Sequence, residues 1–294
     1  TFLCISLFAH ASAERNLLAQ NNSSAKLAGM LVMDRAWVPY PAYNDRAGWD
    51  KLLGDNKDVL IKRGEKQLAY QWQVIKATDY LEYERSGDRN IMQNPNSDNN
   101  NALSDLVLAE LAEGKGRFLD QIINGVYYNC ERTSWVLSAH LTAQLSKRTL
   151  PDHTEQVIDL GSGELGSFLS WVYYFFHAEF DKVNPIISKR LYDEIKHKII
   201  DPYRNVDRFW WMGFIPRSDG MVNNWNPWTN FNCLQSIALL EDDREQLSKD
   251  LYRSMLSVDK FINYVNEDGA CEEGPSYWDM QQESFTTICS WFII

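Results

Sequence analysis

Val222-Asn-Asn-Trp-Asn-Pro-Trp-Thr-Asn230 and Asp268-Gly-Ala-Cys-Glu-Glu-Gly-Pro-Ser-Tyr-Trp278 bracket the stretch on which the reading of this chain turns. Between them Leu247, Leu251, Met255, Val258 and Ile262 fall at i, i+4, i+8, i+11 and i+15, one stripe of a 3.6-residue period. The spacing predicts a helix that carries the chain from one polar-aromatic loop to a second. Amides and indoles around Pro227, and acids beside Gly274, Pro275 and Tyr277, are poor core material. They suit a wet groove for a hydroxylated ligand, because indole stacks on the C–H faces of sugars while amides hydrogen-bond hydroxyls.

Working outward, the same helical period recurs. Asp58 to Arg85 reads as helical, with Leu68, Trp72 and Ile75 on one face and Tyr70, Val74, Ala77 and Leu81 on the next. Asn94 to Asn101 (NPNSDNNN) reads as a loop of turn formers. Helical stripes follow through Leu103, Leu106 and Leu108, through Phe118, Ile122, Ile123 and Val126, through Leu165, Leu169, Val172 and Phe176, and through Ile187, Leu191, Ile195 and Ile199. Strand-like alternation is scarce, so the expectation is an all-α array of amphipathic helices joined by polar loops. Periodicity alone allows any helical bundle or solenoid.

The two bracketing motifs make the resemblance specific. Asn-Asn-Trp-Asn-Pro-Trp with Asp-Gly-x-Cys-x-Glu-Gly-Pro-Ser-Tyr-Trp resembles the N-terminal domain of heparinase II/III-like polysaccharide lyases, over about residues 50 to 278. That family joins an (α/α) toroid to a large β-sandwich domain and cleaves uronic-acid-containing polysaccharides by β-elimination. The resemblance implies an incomplete toroid at residues 51–278, preceded by an arm at 14–50, and an acidic polysaccharide, heparin/heparan-like or alginate-like, as partner. It implies no cofactor and no metal.

Elimination beside a uronate carboxylate needs a group to neutralise that carboxylate, a base for the C5 proton and an acid for the departing O4. By resemblance Tyr277 is the acid and also a candidate for the base, a histidine of the sandwich domain belongs to the same set, and the toroid's carboxylate neutraliser is Asn223 or Asn224, adjacent positions that stay unresolved. Trp225, Asn226, Trp228 and Glu273 belong to the same motifs and are expected to bind substrate. Adjacent Glu272 and Glu273 cannot flank a glycosidic bond from opposite sides, at about 5 or 6.5–9.5 Å, as a hydrolase pair does. Glu131-Arg-Thr-Ser-Trp135 to His140 resembles a family segment at a helix start, with Ser138 where proline is common, and would put Trp135 and His140 in the cleft. A lone histidine in helical context is more often structural. Arg217, six residues before Asn223, is a candidate for a carboxylate or sulfate.

Composition bears on partners. A formal net charge of −11 argues against a nucleic-acid binder and against a surface built only to hold polyanions. Eleven Trp and fourteen Tyr are many for this length and compatible with a carbohydrate cleft. Thr1 to Ala13 (TFLCISLFAHASA) reads as the apolar core and small-residue cleavage site of a secretory signal, which predicts a periplasmic or secreted protein. No later run reaches the about 18 apolar residues of a membrane span. Five cysteines show no metal spacing, and whether Cys130, Cys233 and Cys271 include a disulfide is left open.

Two stretches point elsewhere. Val157-Ile-Asp-Leu-Gly-Ser-Gly-Glu-Leu-Gly166 matches G-x-G-x-x-G, the form of a nucleotide- or methyltransferase-type first loop. The aromatic helical pattern after it lacks the second strand a βαβ unit needs, so the expected role is glycines easing a helix start against a neighbour. After Trp278 the family usually continues Gly-His-Ala-x-Gly-x-Leu-x-Asp-Tyr, whereas Asp279 to Cys289 reads Asp-Met-Gln-Gln-Glu-Ser-Phe-Thr-Thr-Ile-Cys. A permitted back-translation of that run, read with one additional leading G, spells Gly-His-Ala-Ala-Gly-Lys-Leu-Tyr-Asp-Tyr-Leu. Residues 279–294 are therefore expected to be out of frame, the alternative being a divergent tail.

Overall fold

A computed structural model describes residues 14–265. The helices are α1 (Ser24–Ala28), α2 (Arg46–Leu53), α3 (Lys57–Glu65), α4 (Ala77–Ser86), α5 (Asn90–Glu113), α6 (Leu119–Glu131), α7 (Leu160–Val183), α8 (Ile186–Ile195), α9 (Asp201–Asn205), α10 (Trp225–Leu240) and α11 (Arg244–Tyr264). Lys196–Ile200 is π-helical and joins α8 to α9. No strand occurs among the described residues, and no helix there is long and apolar enough to cross a membrane. The chain is all-α.

Each long helix buries one stripe against the next. In α11, Leu247, Leu251, Met255, Val258 and Ile262 are all buried, as their spacing requires. Packing runs from α3 to α5, on to α6, to α8, to α7, to α10 and to α11, with α1 lying on α11. Residues 15–19 are tied to α11 by hydrogen bonds: Asp259 accepts from the backbone N–H of Leu18 and Ala19, and Asn263 accepts from Arg15. One continuous core holds Trp135, Phe118, Phe176, Phe180, Tyr203 and Trp211 at its centre.

Three local expectations are corrected. Asn94–Asn101 is not a loop but lies inside α5, Pro95 included. Tertiary hydrogen bonds override the turn propensity. Fully buried Asn99 accepts from the Tyr70 hydroxyl (2.9 Å) and from Gln73 N (3.0 Å), and donates to Gln73 O (2.8 Å); Asn96 accepts from Arg132 (2.7 Å). The helix read from Asp58 to Arg85 is broken, because residues 70–76 run without helix between α3 and α4. There Asn99 supplies the backbone partners a helix would have supplied, and Trp72 packs where a Cβ on Gly125 would come within 2.3 Å. Finally, α10 begins at Trp225, so most of the first bracketing motif is helix rather than loop, and a second helix, α11, follows the one that contains it.

The glycine-rich run begins α7. Asp159 is its N-cap, accepting from Ser162 N (2.7 Å), while Ser162 Oγ accepts from Asp159 N (2.9 Å), a reciprocal capping box. Gly163 and Gly166 face neighbours across the α7 interfaces: Thr229 and Asn232 of α10, and Ile199 of the π-helical turn. They act as spacers for close packing, and the strand that a nucleotide loop needs is absent among the described residues.

Candidate functional site

Beside the N-terminus of α10 lies a cleft of about 410 Å³, lined by Ala139, His140, Thr142, Lys147, Arg208, Trp210, Trp225 and their neighbours. Two connections and one helix start build it. The first is the α6–α7 connection, in which Ser138–Ala143 forms a 3-10 turn carrying His140. The second is the Trp210–Met212 3-10 turn, closed by Gly213 in the left-handed region (φ 71°), where a Cβ would also strike Lys260 at 2.7 Å. The third is the first turn of α10 with Trp225.

Aromatic rings form one wall. The Trp210 and Trp225 centroids are 4.9 Å apart, and the His140 ring meets Trp225 edge-on at 4.6 Å. The Arg217 guanidinium lies 5.2 Å from the Trp210 centroid, so the row runs Arg217, Trp210, Trp225, His140. Behind it, buried Trp211 stacks on Phe209 and donates its indole N–H to Ile158 O (2.9 Å).

His140 is held from the core side. Its Nδ1 is 2.7 Å from Asp159 Oδ2, and Asp159 is 1% exposed. The residue that caps α7 thus also orients a histidine in the cleft. Gln144, buried, staples the following loop through Arg148 O (3.0 Å), Leu150 O (3.1 Å) and Asp152 N (2.7 Å). That loop presents Lys147 in the left-handed region at φ 58°, which is uncommon for a residue with a side chain. Outside, Glu84 clamps the loop by accepting from Arg148 and from Thr149 N (2.6 Å). These bonds, Arg148's first, hold the Glu84 carboxyl down at about 2.

The charges on the cleft wall are one-sided. Lys147 and Arg208 line it beside His140, and among the described residues no carboxylate does. Arg208 is paired with Glu155 behind the wall and donates to Ala143 O (3.1 Å), whereas Lys147 has no ion pair among the described residues. In a chain of formal net charge −11, Lys147 is thus the wall cation left without a carboxylate partner among the described residues.

The expected site residues divide. Trp225 and His140 line the cleft. Asn223 is half-buried next to Trp225, whose N–H its Oδ1 accepts (3.2 Å). Asn224, the residue before α10, is 4% exposed, and its Oδ1 finds no partner among the described residues. Asn226 is fully buried and serves the scaffold, donating to Trp211 O (2.8 Å) and Ser257 O (3.0 Å), which pins the Trp210–Met212 turn to α11. Trp228 is half-buried and hydrogen-bonds Glu164, whose carboxyl is held above its ordinary range by desolvation first, against that bond. Trp135 does not line the cleft: it is 2% exposed, donates to Asn129 O (2.9 Å) and lies under Lys198. The Glu131–Trp135 segment follows the end of α6 instead of starting a helix. Arg217 is engaged by Asp219 through both Nε (2.9 Å) and Nη2 (2.7 Å). Tyr277 and Glu273 lie outside the described residues, as do residues 1–13 and 279–294.

Asp159, Trp210, Arg208 and Lys147 escaped the sequence reading. Asp159-x-x-Ser162 is a visible capping signal before an apolar run. Nothing in sequence ties it to His140. Cys130 and Cys233 are free thiols, both buried, and burial pushes Cys130 up to about 12. No protein-family model and no curated protein matches the chain.

Proposed function

We propose that the protein is a secreted or periplasmic polysaccharide lyase, cleaving a uronic-acid-containing polysaccharide, heparin/heparan-like or alginate-like, by β-elimination. The observation that carries the proposal is the cleft wall: paired indoles, a histidine and two cations, in an acidic chain. Indole faces suit the apolar faces of sugar rings, and Lys147, without an ion pair among the described residues, suits an acidic polymer. The succession α5, α6, α8, α7, α10, α11, each packed on the next, supports an (α/α) toroid.

In this reading the amide of Asn223 or Asn224 hydrogen-bonds the uronate carboxylate as charge moves onto it. A fixed dipole of this kind acts without reorganising as the charge develops. Tyr277 protonates the departing O4. The product is an unsaturated uronate, which absorbs in the ultraviolet.

The test is the full-length protein, incubated with a panel of uronate polysaccharides and followed by ultraviolet absorbance. Rising absorbance on at least one polymer is expected. Retention of the polymer with no absorbance would make this a carbohydrate-binding domain instead, and absence of both would refute the proposal.

A further inference from the structure

His140 sits in the cleft with one ring nitrogen fixed and the other unbonded. Nδ1 is 2.7 Å from Asp159 Oδ2, and no hydrogen bond to Nε2 occurs among the described residues. Asp159 is held in place four ways: Oδ1 accepts from Ser162 N (2.7 Å), Oδ2 also accepts from Leu137 N (3.2 Å), its N–H donates to Ser162 Oγ (2.9 Å), and its side chain is buried. An ionised carboxylate only accepts, so the neutral imidazole carries its proton on Nδ1 and leaves a lone pair on Nε2. Trp225 packs edge-on against the ring at 4.6 Å. His140 retains 18% side-chain exposure, enough for a substrate atom to reach an otherwise shielded base.

We infer that His140, oriented by Asp159, is the base that removes the C5 proton of the uronate; this rests on the lyase reading above. The C5–H bond breaks and its proton passes to Nε2, giving an imidazolium whose charge Asp159 offsets. The electron pair forms the C4–C5 double bond as the C4–O4 bond breaks, and O4 takes a proton drawn from water. Loss of the proton from His140 Nε2 to the hydroxide so formed closes the cycle. His140 is the catalytic residue of this step, and Asp159 is a positioning residue acting through it.

Three variants of the full-length protein test the assignment. His140→Ala is expected to lower kcat by about 10²–10⁴-fold with KM little changed, the usual range for a general base. Added imidazole should restore part of that turnover, which no repair of a merely structural histidine would do. His140→Gln preserves polar bulk and should be equally slow. Asp159→Asn keeps an acceptor for Ser162 N, so α7 stays capped, yet its amide N–H faces Nδ1 and reverses the tautomer. Side-chain nitrogen NMR reads this without activity: Nδ1–H in the wild type, Nε2–H in Asp159→Asn, with an intermediate kcat. If the wild type eliminates and His140→Ala keeps near-wild-type turnover, the base is elsewhere and the inference fails alone. A wild type that eliminates no uronate polymer sinks the lyase reading and the base with it. An Nε2–H tautomer in the wild type overturns the orienting role of Asp159 whatever the activity.

Discussion

Alanine at Gly163 and at Gly166 should act in opposite directions, because the two glycines meet different neighbours on one helix. Both lie in α7 with no positive φ, so alanine gains up to about 1 kcal/mol of helix propensity at either site. At Gly163 the added Cβ would stand 3.5 Å from Asn232 Cβ and Thr229 Cγ2, ordinary contact that needs no movement. Gly163→Ala is therefore expected to stabilise by about 0.5–1 kcal/mol. At Gly166 the Cβ would stand 2.5 Å from Ile199 Cγ1 and 3.0 Å from its Cδ1, and Ile199 is fully buried. Overpacking of that kind costs about 1–3 kcal/mol. With Ile199 unable to withdraw, the upper half of that range exceeds the propensity gain of up to about 1 kcal/mol, leaving a net loss of up to about 2 kcal/mol. Denaturant midpoints at unchanged m-value measure both. A Gly166→Ala protein as stable as wild type would refute the packing argument. A Gly163→Ala protein clearly destabilised would show that Gly163 serves something other than α7–α10 contact.

Glu84→Gln should loosen the loop that presents Lys147. The Glu84 carboxyl is depressed from 4.5 to about 2, so its contribution is present above the unfolded value and lost as pH falls through about 2. The Tm deficit of Glu84→Gln should be small, largest near neutral pH, and should shrink between pH 4.5 and about 2. Asn223→Ala loses the bond to Trp225 N at the start of α10 and should destabilise by about 0.5–2 kcal/mol, whereas Asn224→Ala removes an acceptor with no partner among the described residues and should melt near wild type. Whichever amide meets the uronate carboxylate should also lose about 10²–10³-fold in kcat, so kinetics beside a melt assigns the role. Tyr277→Phe in the full-length protein should cut kcat by about 10²–10⁴-fold; full turnover on the best substrate would mean that another group protonates O4.

The helix class was legible because burial imposes a period, and the α11 stripe from Leu247 to Ile262 is buried residue for residue. The Asn-rich run failed for a physical reason. Asn96 and Asn99 find their partners in Arg132, Tyr70 and Gln73, which are remote in sequence, so the local turn preference says nothing about them. At the site, Trp225 and His140 were legible from motifs, yet the part of Asp159 was not, since 19 positions separate it from the ring it orients. Asn226 and Trp135 share a motif with cleft residues but turn inward, because a helix or a chain reversal sends consecutive side chains to different faces.

The central claim is that an acidic polysaccharide is eliminated in the His140–Trp225 cleft. Single-turnover reaction of the full-length protein with its best uronate polymer, followed by ultraviolet absorbance in wild type and Trp225→Ala, tests it most directly. The wild type should form unsaturated uronate, and Trp225→Ala, which removes the ring shared by Trp210 and His140, should need far more polymer to reach a much lower rate while remaining folded. Equal rates and equal polymer dependence in a folded Trp225→Ala protein would place the chemistry outside this cleft and contradict the account.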